Sequence, residues 1–186
     1  MIIGITGTIG AGKGTVAAYV VRNHGFNYFS ARDVWNEEIA RRGLPSNRDT
    51  MTSVANDMRA RYGSHYFSEL ALAHANALGG HSVFESIRTV GEAQYLKSHG
   101  AFLWAVDADV HRRYERIVLR KSETDNISFE KFVADEEREM ASTDQRRQNL
   151  AAVRRMADTI LTNDGTPEEL YQQVEVALQK AGYNEG

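Results

Sequence analysis

The stretch Gly7-Thr8-Ile9-Gly10-Ala11-Gly12-Lys13-Gly14-Thr15 sets glycines and one lysine at a spacing that can do phosphate chemistry. Glycines leave backbone N–H groups bare, and at a helix start such groups make an anion site. Lys13 is placed to reach β- and γ-phosphate oxygens. The pattern is nearly G-x-x-x-x-G-K-[ST], but Gly14 stands where a hydroxyl residue ordinarily ligates Mg²⁺. Thr15, one place on, can reach a phosphate oxygen but not from the usual position of the metal ligand. A glycine in a first helical turn costs up to ~1 kcal/mol relative to alanine, so something is expected to approach Gly14 closely.

A metal that the loop does not hold needs carboxylates elsewhere. Asp33 and Glu85 each follow a short apolar run, and carboxyl ends of parallel strands face the crevice where ligands bind. There they could orient metal-bound water. Asp33 equally fits the last place of a capping pattern, Ser30-x-x-Asp33. Arg88 suits a phosphate clamp, or an ordinary surface position at a helix start. Arg116 and Arg120 are four apart and share a helix face. Planar cations there suit a base or a transferring phosphoryl group, while a solvated basic face is the other reading.

The elements that position these residues alternate. Ile2–Thr6, 26–29, Ser82–Glu85, 101–106 and Thr159–Thr162 read as short strands. Lys13–His24, 30–42, 47–62, 65–78, 89–99, Val110–Arg120 and most of 128–156 read as helices, the last broken near Ser142-Thr143. Segment 121–127 is polar and reads as a loop. Thr89-x-x-Glu92 is a capping box, and Thr166-Pro167-Glu168-Glu169 supplies a cap and a proline for a final helix. The alternation predicts an α/β domain, one parallel sheet of about five strands with right-handed crossovers.

Composition bounds the rest. The 186 residues are 42% hydrophobic and 25% charged, ordinary for one globular domain. Net charge is −3, which argues against non-specific nucleic-acid binding as the main task. There is no cysteine, so disulfides and thiolate metal sites are excluded. No apolar stretch approaches membrane-spanning length, and residues 1–5 are too short for a signal peptide. A cytoplasmic protein, monomer or homodimer, with no nucleic-acid or membrane partner, is expected.

The loop Gly7-x-x-Gly10-x-Gly12-Lys13-Gly14-Thr15 resembles that of adenylate kinases and related nucleoside monophosphate kinases, G-x-x-G-x-G-K-G-T. In that family the glycine variant is functional, with Mg²⁺ carried by the nucleotide and by waters that acidic side chains hold. The resemblance implies a three-layer phosphate-loop fold with a five-stranded sheet, an acceptor-binding helical insert at 36–80 and a lid at 121–147. It implies ATP as donor, Mg²⁺ as cofactor and a small nucleotide as acceptor. The loop residues Gly7, Gly10, Ala11, Gly12, Lys13, Gly14 and Thr15 would cradle the donor phosphates.

Phe29-Ser30-Ala31-Arg32-Asp33 is similar to the family's S-T-G-D. Residues 83–89 are similar to D-G-F-P-R-T, with Glu85 for Asp and no proline. Asp33 and Glu85 then fall at the metal, and Arg88 at the acceptor phosphate. Arg116 and Arg120 resemble an R-x-x-x-R pair, one packing on the base and one reaching the transferred phosphate. Arg138, with Arg146 and Arg147, falls in the lid. In the insert, Arg59, Arg61, Tyr62, Tyr66 and Phe67 suit a phosphate with an aromatic neighbour, or simply two amphipathic helices. Where the family has an arginine just after the Asp33 position, this chain has Trp35-Asn36.

Residues 157–166 resemble the A-D-x-x-I-x-N-x-G-T base loop of dephospho-CoA kinases, with Asn163, Gly165 and Thr166 bounding adenine. Residues 85–92 are similar to D-G-I-R-x-x-x-E of an adenylate-kinase-related group near those enzymes, and to phage-type deoxynucleoside monophosphate kinases. The implied activity is phosphoryl transfer from ATP to a ribo- or deoxynucleoside monophosphate. The alternatives are a dephospho-CoA kinase and a phosphate-loop ATPase or regulator with no small-molecule acceptor.

Overall fold

A computed structural model describes residues 1–120, 127–140, 144 and 147–183. The strands are β1 (Ile2–Thr6), β2 (Asn27–Ser30), β3 (Ser82–Glu85), β4 (Phe102–Asp107) and β5 (Thr159–Thr162). The helices are α1 (Lys13–His24), α2 (Ala31–Arg41), α3 (Arg48–Tyr62), α4 (Tyr66–Leu78), α5 (Val90–Ser98), α6 (Val110–Arg120), α7 (Phe129–Met140), α8 (Leu150–Arg155) and α9 (Pro167–Lys180).

The five strands form one parallel sheet in the order β2-β3-β1-β4-β5. Side chains alternate across a strand, so β1 feeds two cores. Ile3 and Ile5 pack with Val16, Val20, Leu170 and Val174 of α1 and α9. On the other face lies Gly4, where an added Cβ would fall 2.9 Å from Leu96 of α5. The second core is built there from α2 through α5 and α8, around Phe84, Leu103, Trp35 and Phe67. The result is three layers, helices on both faces of the sheet, as the alternating pattern predicts.

Local signals set most boundaries. Both full capping boxes form: Thr89 with Glu92 opens α5, and Thr166 with Glu169 opens α9 behind Pro167. At α2 the expected box does not form. Ser30 caps the helix by accepting from the Arg32 N–H, at the second helical position rather than the third, at 3.2 Å. Strand β2 runs one residue later than the apolar run suggests, because pairing with β3 puts Ser30 opposite Glu85. The break near 142–143 lies outside the described residues, between α7 and α8. Among the described residues no helix is long and apolar enough to cross a membrane.

Candidate active site

The turn from β1 into α1 is held from behind. Gly12 is the N-cap of α1 at φ 103°, where an added Cβ would lie 2.2 Å from Nδ2 of Asn163. At Gly10 an added Cβ would lie 2.5 Å from the Arg113 carbonyl oxygen. Sequence reasoning assigned these glycines to ligand access, but the structure gives them a second cause. Asn163 Nδ2 donates to the Ala11 carbonyl at 2.8 Å, and Arg116 donates to the Asn163 carbonyl at 2.7 Å. Arg113, buried on α6, donates to Ala108 O at 2.8 Å and Ile9 O at 3.4 Å, and pairs with Glu136 of α7.

Lys13 begins α1 and is 8% exposed. Its Nζ donates to Thr8 O at 2.8 Å. Burial, helped by Arg88 and Arg32, pulls its pKa down to about 7 against the opposing pull of Glu85 and Glu139. The lysine is therefore close to half charged near neutrality, short of one anion.

Gly14 faces Glu85. A Cβ added there would stand 4.0 Å from each Glu85 carboxylate oxygen, an ordinary contact. Glu85 thus occupies the neighbourhood of the missing hydroxyl. The Tyr28 hydroxyl donates to its Oε2, and burial together with Glu85 pushes the Tyr28 pKa well up, so the hydroxyl keeps its proton. The next residue, Ser86, sits at φ 75°, a strained conformation for a non-glycine residue, of order 1–3 kcal/mol. Its N–H and that of Ile87 both donate to Ile5 O at 3.0 Å. This turn lets Glu85 and Arg88 line one cavity.

That cavity, about 620 Å³, joins most of the expected residues. Gly10, Gly12, Lys13, Gly14 and Thr15 line one end, with Asp33, Glu85, Arg88, Arg116 and Arg120 around it. Among the described residues no three acidic or histidine side chains cluster as a ready-made metal cage. Two carboxylates on one cavity still fit Mg²⁺, which is usually bound through one or two carboxylates, waters and substrate phosphates.

Gly7 and Ala11 belong to the loop but not to the cavity lining. Asn163 acts from behind, while Gly165 and Thr166 belong to the α9 cap. The adenine role expected of these three residues is not drawn into the cavity. Arg138 also departs from expectation: it is exposed on α7, pairs with Asp135, and lines a smaller pocket with Arg147. The α7 carboxylates Asp135 and Glu139 turn towards α3, which leaves Arg138 on the outer edge. Arg146 and segment 121–126 lie outside the described residues.

Sequence reasoning missed several lining residues. Arg48, Met51, Thr52 and Ala55 join Arg59, which the sequence had already singled out, in one stripe of α3 along the cavity. Their steps of three and four were a readable signal. Glu139 and Gln148 left none. Glu139 accepts from Arg48 and from Arg88, each at 2.8 Å, and Gln148 accepts from Arg88 at 2.7 Å. Burial pushes the Glu139 carboxyl up, but Arg88 and Arg48 outweigh it and hold it below the usual range.

A family model described as an AAA domain matches residues 3–144. A UPF0200 protein of Thermococcus gammatolerans is 29% identical over 197 residues, covering 100% of this chain and 99% of its own. A UPF0200 protein of Methanococcus maripaludis is 26% identical over 183 residues, 96% of each. Among solved structures, TT1252 from Thermus thermophilus superposes with TM-score 0.61 at 24% identity, covering 97% of each chain. Shikimate kinase from Bacteroides thetaiotaomicron gives TM-score 0.60 at 13% identity over 98% of this chain and 99% of its own. These likenesses carry the fold, a phosphate-loop kinase-like domain.

Proposed function

This chain belongs to the AAA domain family, and from that premise we propose that it transfers the γ-phosphoryl group of ATP to a small nucleotide-type acceptor, a ribo- or deoxynucleoside monophosphate. One observation carries the reading: a single cavity runs from Lys13 and the loop to Arg88 and the α3 stripe. Donor and acceptor can therefore meet in one cavity.

The loop N–H groups and Lys13 hold the donor phosphates, and Thr15 contacts one of them. Arg88 orients the acceptor, with 36–80 as its insert. Arg116 and Arg120 offset charge on the transferring group, with 121–147 as lid. The acceptor oxygen forms a bond to the γ-phosphorus as the bridging bond to ADP breaks. Positioning and charge stabilisation supply nearly all of such catalysis. Asp33 and Glu85 would hold Mg²⁺ through water, and the ion, when bound, neutralises charge across the β- and γ-phosphates.

A coupled ADP-release screen over ribo- and deoxynucleoside monophosphates and dephospho-CoA tests this. ADP release is expected only when a nucleoside monophosphate is present. Release at an unchanged rate without acceptor would favour an ATPase, a reading supported by Glu139 already sitting on Arg88. A response to dephospho-CoA alone would move the acceptor to that class.

The metal assignment has its own test. Glu85→Gln is expected to raise the Mg²⁺ needed for half-maximal rate by about 10–100-fold, as loss of a group that orients metal ligands does. A Mg²⁺ titration that is unmoved by both Glu85→Gln and Asp33→Asn would sink it.

A further inference from the structure

We infer that Glu139 selects the acceptor by charge: it holds Arg88 and Arg48 as a stand-in anion, and only a dianionic group, a phosphate monoester, displaces it. This rests on the phosphotransferase reading and deepens it.

Glu139 stands in the last turn of α7 and lines the cavity. Its Oε1 accepts from Arg48 Nη2 and its Oε2 from Arg88 Nη1, each at 2.8 Å. One carboxylate thus bridges a cation of α3 and the cation that follows β3. Burial pushes its carboxyl up, but Arg88 and Arg48 outweigh it, so the group stays ionised near neutrality.

Two observations separate this bridge from a plain tether. First, α7 is fixed by other means. Phe132 is fully buried, Glu136 pairs with Arg113, and Asp135 meets Arg48 at 3.5 Å. Second, Arg88 is only partly taken. Its Nη1 donates to Glu139 and, at 2.7 Å, to Gln148. Among the described residues its Nε and Nη2 donors have no acceptor. An incoming anion therefore finds donors on Arg88 before Glu139 leaves. Only the end of α7 then has to give way, and helix ends fray.

Charge decides what can take the place of Glu139. Stripping the partner from a buried charge is strongly destabilising, so a neutral group would strand both arginines. A phosphodiester, with a single charge, gains nothing over the carboxylate it replaces. A phosphate monoester carries about −1.5 to −2 near neutrality and three terminal oxygens, enough to answer two guanidinium groups. Discrimination then comes from a competitor built into the chain, which rejects the weaker anion.

The test uses the full chain saturated with Mg²⁺ and the non-hydrolysable analogue AMP-PNP, so that the phosphate loop is filled. Inorganic phosphate, mostly a dianion at about pH 8, and dimethyl phosphate, a monoanion, are titrated separately at constant ionic strength. Melting temperature is read. The parent is expected to respond to phosphate and not to dimethyl phosphate, a comparison that needs no variant. Glu139→Gln should melt lower than the parent without anion and be restored by phosphate. It should bind phosphate about tenfold tighter than the parent and gain a response to dimethyl phosphate. Arg88→Met/Glu139→Gln should lose that gain.

A residue that only tethers α7 predicts the opposite sign, weaker phosphate binding in Glu139→Gln. Binding that is weakened or unchanged there, a gain that survives removal of Arg88, or a parent that responds to both anions equally or to neither overturns the stand-in role while nucleotide binding stands. Failure of AMP-PNP to bind the parent overturns the phosphotransferase reading itself, and the stand-in role with it.

Discussion

Replacing Lys13 by Met is expected to reduce phosphoryl transfer by at least about 10²–10³-fold, the scale seen when one charge-stabilising donor is removed from an active site. The same variant should abolish a proton uptake. In the free protein, burial first, then Arg88 and Arg32, lower the Lys13 pKa from 10.5 to about 7, with Glu85 and Glu139 opposing. A bound triphosphate adds negative charge and raises that pKa again. At pH 8.5 the free lysine is mostly neutral and the bound one charged, so binding takes up close to one proton. At pH 6 both forms are charged and no uptake is expected. Calorimetry in two buffers of different ionisation enthalpy reads the difference. Uptake that persists in Lys13→Met would place the proton, and the phosphates, elsewhere.

The lowered pKa also fixes a stability trend. Between about pH 7 and 10.5 the unfolded chain binds more protons at this lysine than the folded one. Stability from this group therefore rises with pH across that window. Below pH 7 the folded protein carries a buried charge. Lys13→Met should gain most in stability relative to the parent there, and the gain should shrink towards pH 10. The strain of a buried lysine is part of the site, relieved when an anion arrives.

Much of the fold was legible because its signals are local. A β-branched run before glycines marks β1, and i,i+3 boxes mark the starts of α5 and α9. The carboxyl ends of β1 and β3 then bring Lys13, Glu85 and Arg88 to one cavity. What was illegible spans long separations. Glu139 meets Arg48 across 91 positions and Arg88 across 51. Asn163 reaches Ala11 across 152. Such pairs leave no period in the chain, so the protein's own anion on Arg88 and the second reason for Gly10 and Gly12 appear only in three dimensions. Gly14 is an intermediate case. Its missing hydroxyl is visible in the sequence, but only the fold puts both Glu85 oxygens 4.0 Å from where that side chain would start.

Glu92→Ala is expected to be the most destabilising single change among these residues, by about 3–5 kcal/mol in urea denaturation, because it strips the partner from a buried charge. Glu92 and Arg59 are both 0% exposed. Removing the carboxylate leaves Arg59 with no acceptor on Nε beside two Nη groups that already lack one. It also frees the N–H groups of Arg88 and Thr89 at the start of α5, a capping loss of about 0.5–2 kcal/mol. The two contributions separate in a double-mutant cycle. Arg59→Met removes the charge that Glu92→Ala would strand, so the double variant should recover most of the loss and retain only the capping cost. Strictly additive losses would mean that the pair is not coupled. Because the Glu92 carboxylate also holds the backbone of Arg88, the pair ties the acceptor wall of the cavity to its floor.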